Sequence, residues 1–158
     1  MKKNAVISFL IGVPLVMAMD VEPGLAQGNL DSQAVRRLLM QTFDKPEAPL
    51  NIDAVVVEQD VAIADWSQGE LGGRALLGRK DGVWSIALCA GDALKQSASL
   101  EKLGLGKPLA DKLAAELSQA ERGLAPALLD KFARFDAIVA VDATGRHSPL
   151  DPYHRPIQ

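Results

Sequence analysis

The dipeptide Asp81-Gly82, set between apolar segments at 74–80 and 83–89, constrains the fold more than any other feature of this chain. Asp-Gly suits a two-residue hairpin turn, in which both central residues take positive φ, and the flanks are rich in strand-forming residues. Such a turn pairs Lys80 with Val83, Leu77 with Ile86 and Arg74 with Cys89. One face then carries Ala75, Leu77, Trp84, Ile86 and Leu88, an apolar surface suited to a core. Arg79 falls opposite Trp84, placed for a cation–π contact. Arg74 and Cys89 fall together on the thinner face. A guanidinium beside a thiol favours thiolate, the form that binds soft metals. Two other readings stand beside this one. Cys89 suits a small core position, and a three-residue turn with Gly82 in a bulge would shift the register and remove the Arg74 contact.

Around the hairpin the pattern continues. Residues 50–58, with Ile52, Val55, Val56 and Val57, read as a strand. A second strand at 61–68 follows the short Gln59-Asp60 connection, and the 74–80 strand begins beyond a Gly72-Gly73 break. Four short strands in succession predict an antiparallel meander. Upstream, Asp31 or Ser32 can cap a helix carrying Val35, Leu38, Leu39 and Phe43 at helical spacing, ended by Pro46 and Pro49. Downstream, Asp92 can cap a short helix reaching about Leu103, and Pro108 suits the first turn of another with a Leu109, Leu113, Leu117 stripe. Gly123 and Pro126 punctuate before Leu128, Leu129, Phe132 and Phe135. Residues 138–141 read as a final strand or a helix end, their β-branched content favouring strand. The expected fold is a single α+β domain. A roughly four-stranded antiparallel sheet is covered on one face by the N-terminal helix and the C-terminal helices, NTF2-like or cystatin-like in outline.

Lys2 and Lys3 precede an apolar run from Ala5 to Met19, too short for a membrane span and suited to a cleaved secretory signal. Cleavage after Ala18 or Ala26 fits the small-residue rule. The Pro23-Gly24 turn expected just upstream favours Ala26. The expected organisation is a signal peptide at 1–26, an α+β domain at 27–143 and a Pro- and His-containing tail at 144–158, in a periplasmic protein. The single cysteine cannot form an internal disulfide. The formal charge of −3 is unchanged on losing Lys2, Lys3, Asp20 and Glu22, and no basic stripe appears, which argues against nucleic acid. The glycine spacing from Gly73 to Gly78 lacks the Lys-Ser/Thr pair of a phosphate loop. Both histidines lie in the tail, so no nucleophile–base–acid set stands out and the expectation is a non-enzyme.

Trp66, the Gly-Gly-Arg-Ala-Leu-Leu of 72–77, the Asp-Gly-Val-Trp-Ser-Ile of 81–86 and the Leu-Cys-Ala-Gly-Asp of 88–92 carry a resemblance. The helix end at 38–44, Pro49-Leu50 and the strand at 55–58 fit it too. Over about residues 35–141 the chain resembles small exported bacterial proteins labelled copper uptake system-associated. The resemblance implies association with copper uptake or handling. That association would act through weak copper binding or through a copper-transport partner or another periplasmic protein. Copper(I) favours thiolate, thioether and imidazole, so the candidate metal residues are Cys89, Met40, His147 and His154. The family's tail is commonly richer in histidine than this one. Met40 also fits the helix core, and the histidines also fit a solvated tail. The alternative is a metal-independent module that binds a small ligand or a protein through its sheet. Exposure of Cys89 separates the two: an open thiol beside Arg74 favours metal, a buried one favours the module.

Overall fold

The computed structural model of the protein describes residues 23–135 and 138–140. An opening helix, α1 (Pro23–Phe43), is followed by strands β1 (Leu50–Glu58), β2 (Val61–Gln68), β3 (Leu71–Lys80) and β4 (Val83–Ala90). A 3-10 turn (Asp92–Lys95) leads to α2 (Ser97–Lys102) and α3 (Lys107–Ala120). A second 3-10 turn (Glu121–Gly123) precedes α4 (Pro126–Ala133), and β5 (Val139–Ala140) follows. The strands pair antiparallel in chain order, β1-β2-β3-β4, with the two-residue β5 added beside β4. The α+β domain with its antiparallel meander is as expected, and Val139–Ala140 is strand.

The sheet is covered on both faces. Val35 and Leu39 of α1 pack on Leu50, Ala62, Ala64, Ala75, Leu77 and Ile86. Against the opposite face, Leu94, Leu100, Ala110, Leu113 and Leu117 pack on Val56, Ile63, Leu76 and Ala90. This departs from the expected one-sided cover. The physical reason lies in β2 and β3, where Ala62-Ile63-Ala64 and Ala75-Leu76-Leu77 are unbroken apolar runs, the mark of strands buried on both sides.

Other expectations are corrected at element ends. No turn occurs at Pro23-Gly24; both residues lie within α1. Asp31 is therefore inside α1 rather than capping it, and its carboxylate accepts from Arg79 Nη1 at 2.6 Å. Gly72 and Gly73 lie within β3 rather than breaking it. A Cβ on Gly72 would lie 2.8 Å from Lys131 Cγ, and one on Gly73 would lie 3.1 Å from Trp66 Cζ2 and 3.2 Å from Phe135. The glycines are there to let neighbours approach. Asp92 makes no capping hydrogen bond, and the segment expected as one helix is a 3-10 turn followed by α2. Leu113 and Leu117 of the predicted stripe are buried, joined by Ala110. Of the expected signal peptide at 1–26, residues 1–22 lie outside the described residues and residues 23–26 lie within α1; the expected tail at 144–158 lies outside the described residues.

Candidate functional site

The hairpin turn forms as its sequence predicts, with Asp81 at φ 52° and Gly82 at φ 79°. Lys80 pairs with Val83, Arg79 with Trp84 and Leu77 with Ile86. The guanidinium carbon of Arg79 lies 5.0 Å from the Trp84 ring centroid. The same side chain binds Asp31 at 2.6 Å and Asp60 at 2.8 Å, tying α1 and the β1–β2 turn to the hairpin.

The register then shifts between Leu77 and Leu76, whose partners are Ile86 and Leu88, leaving Ala87 as an extra, exposed residue. An extra residue in one strand reverses the facing of those beyond it. Cys89 therefore pairs with Ala75, not Arg74, and Arg74 pairs with Ala90. The expected Arg74–Cys89 contact is overturned, although the turn has the expected two residues. Leu88 and Cys89 have exchanged faces: Leu88 now packs on the side of α2 and α3, and Cys89 joins the α1-side core. Cys89 is 4% exposed, and burial pushes its thiol up to about 12, so the neutral thiol is the resident form. That environment does not fit a thiolate copper ligand. Met40, expected near the core, is 37% exposed on α1. His147 and His154 lie outside the described residues. Among the described residues, no group of three or more His, Cys, Asp or Glu side chains is arranged to hold a metal ion.

Arg74 instead enters a charged cluster on the opposite face. It is fully buried, directly across from buried Asp65 on β2. Its Nε and Nη2 donate to Glu121 Oε1 at 2.9 and 2.6 Å, and its Nη1 donates to Asp92 Oδ1 at 3.0 Å. Lys95 closes on the other oxygen of Glu121. The Phe132 ring of α4 lies 5.5 Å from the guanidinium carbon. Asp65 Oδ1 is 3.4 Å from Arg74 Nε, yet neither of its oxygens accepts a hydrogen bond. Burial, with a smaller push from the charge of Glu121, raises the Asp65 carboxyl to about 7, against the attraction of Arg74.

Beside this cluster opens a pocket of about 230 Å³ lined by Ala90, Gly91, Asp92, Ala93, Ala133, Phe135 and Ile138. Gly91, one of the lining residues, lets the end of α4 pack close, since a Cβ there would lie 2.6 Å from the Phe135 carbonyl oxygen. Asp92, with its side chain 56% exposed, joins the pocket to the buried cluster. The sequence reading missed this cluster; the one signal for it is that Asp65 and Arg74 are charges of opposite sign within the apolar parts of adjacent strands. Glu121 and Asp92 carry no comparable signal, because each lies in a polar-looking connection.

Comparison with protein-family models, curated proteins and solved structures finds no match for this chain.

Proposed function

We propose that this protein is an exported, periplasmic accessory of copper uptake or handling that works as a binding module, engaging a partner protein without using Cys89 as a metal ligand. The copper association rests on the sequence resemblance. The observation that carries the module reading is the position of Cys89, in the α1-side core with a thiol raised to about 12. The pocket next to Asp92 is the binding feature. At about 230 Å³ it is below the roughly 300–1,000 Å³ common for small-molecule sites, so it suits one inserted side chain of a partner. Mostly apolar walls with a single carboxylate at the rim favour an apolar or apolar-and-cationic side chain.

The test is copper accumulation in cells lacking the protein and complemented with wild type, Cys89→Ser or Ala133→Phe, the last filling the pocket. Cys89→Ser should restore accumulation fully, and Ala133→Phe should not. A folded, exported Cys89→Ser protein that fails to restore would sink the module reading and return the thiol to the centre. No difference between empty cells and wild type would remove the copper association itself. Copper(I) competition on the purified chain, with and without residues 146–158, separates a tail-held metal from the folded domain.

A further inference from the structure

The charged cluster joins two parts of the fold that are far apart in sequence. Asp65 and Arg74 belong to the central strands, while Asp92, Lys95 and Glu121 belong to the 3-10 turns that hold the helical layer. The groups facing Asp65 are unbalanced. From β1 comes Asp53, bound to Ser67 Oγ at 3.1 Å; from β3 comes Arg74; from the turns come Asp92, Glu121 and Lys95. The α4 cation, Lys131, donates to the Gly69 carbonyl at 2.6 Å. With Asp65 ionised, four carboxylates therefore share two cations. The three Arg74 hydrogen bonds in the cluster go to Glu121 and Asp92, Lys95 pairs with Glu121, and neither Asp65 oxygen accepts a hydrogen bond. A protonated Asp65 removes one negative charge and adds an O–H donor where only acceptors are left over.

We infer that this cluster is a proton-operated latch, which clamps the helical layer to the sheet while Asp65 is protonated and loosens it when Asp65 ionises. Ionisation places a second uncompensated carboxylate within the interface that Glu121 and Asp92 close, and it acts on the turn segments that carry them, which only the apolar packing of residues such as Leu94 then holds to the sheet. The strands are held by their own ladders and α1 packs on the other face, so neither depends on the latch. The sign follows from the raised folded-state carboxyl. Clamping is complete below the ordinary value of 3.8 and is lost as pH rises through about 7. The pocket beside Asp92 opens between the two parts, so a partner bound there would feel the same proton.

The test is amide hydrogen exchange on the whole protein at about pH 5.5 and about pH 8.5, corrected for intrinsic rates, for wild type, Asp65→Asn and Asp53→Asn. In wild type, protection in residues 92–95 and 121–133 should fall at least about ten-fold at the higher pH, while α1 keeps its protection. Asp65→Asn should show equal protection at both pH values. Asp53→Asn, which removes a facing negative charge, should move the midpoint of loosening to lower pH. Should Asp65→Asn not fold, the Asp53→Asn midpoint and a carboxyl NMR titration of Asp65 in wild type carry the test. The latch is overturned by unchanged protection in wild type, by the same loss in wild type and Asp65→Asn, or by a midpoint that Asp53→Asn leaves in place.

Discussion

Arg74→Met tests the buried cluster most directly. Methionine keeps an unbranched stem against Phe132 and removes the charge. Lost are two N–H donors to Glu121 Oε1, one to Asp92 Oδ1 and the attraction on Asp65. The three acids do not suffer equally. Asp92 has a half-exposed side chain and water replaces its donor. Asp65 already ionises only near pH 7 and stays protonated below that at little extra cost. Glu121 is 2% exposed and is left with Lys95 alone, so most of the penalty falls there. Removing one partner of a buried pair costs about 3–5 kcal/mol, against a total stability of about 5–15 kcal/mol for a domain. With a urea slope of about 2 kcal/mol per molar, the midpoint should drop by about 2 M. Urea unfolding at about pH 6, followed by tryptophan fluorescence and far-UV circular dichroism, measures it. Adding Glu121→Gln to Arg74→Met should recover about 2 kcal/mol, because the stranded charge is then gone. A loss under about 1 kcal/mol, or no recovery in the double variant, would refute the assignment of a desolvated guanidinium held by Glu121.

Gly91→Ala should destabilise by about 1–3 kcal/mol, since its Cβ would press on the Phe135 carbonyl oxygen, while Gly78→Ala, in open space, should be near neutral by the same unfolding assay. Cys89 should react slowly with a thiol reagent at about pH 8 in the native protein and rapidly in urea, because both burial and the raised thiol value suppress thiolate; fast native labelling would contradict the register of β4. For Asp65, the carboxyl rises from 3.8 to about 7 on folding, which is worth about 4 kcal/mol. That contribution is present below pH 3.8 and lost as pH rises through about 7. The stability of wild type relative to Asp65→Asn should therefore fall by about 4 kcal/mol across this window, measured by urea midpoints, and a difference independent of pH would defeat it.

The strands and their order were legible because they follow local rules: a two-residue turn with positive φ, apolar runs and glycine or proline punctuation. The Arg79–Trp84 contact was legible for the same reason, being only two pairs from that turn. The Arg74–Cys89 pairing was not, since it is farther along and a single extra residue, Ala87, intervenes. Nothing local to Leu-Cys-Ala announces a bulge there; it is fixed by the demand that Cys89 face α1 and Leu88 face α2 and α3. Glycines at 72 and 73 were misleading in the same way, read as a break though they lie within β3, and Gly91 gave no signal of its role. Their purpose is close approach by Lys131, Trp66 and the Phe135 carbonyl, contacts that only the folded chain brings together. The charged site was not among the expectations from the sequence, which paired Arg74 with Cys89. Asp65 and Arg74 stand out as charges in apolar strands, but Glu121 is 47 residues from Arg74 and only the packing of α3 brings it there.

The agreement between strand order and chain order has a consequence for how the protein assembles. Each of the first three strand pairs closes across a short connection, so little loop entropy opposes the meander. Docking of α3 on β1 is different: it joins residues 107–120 to residues 50–58 and carries Glu121 to Arg74 in the same step. Asp65 and Arg74 can thus stay hydrated through most of folding, and their water is given up only when the last layer closes. This topology predicts that the barrier is crossed before the charges are sealed. Arg74→Met should then speed unfolding in stopped-flow traces far more than it slows refolding, and equal changes in both rates would place the sealing earlier.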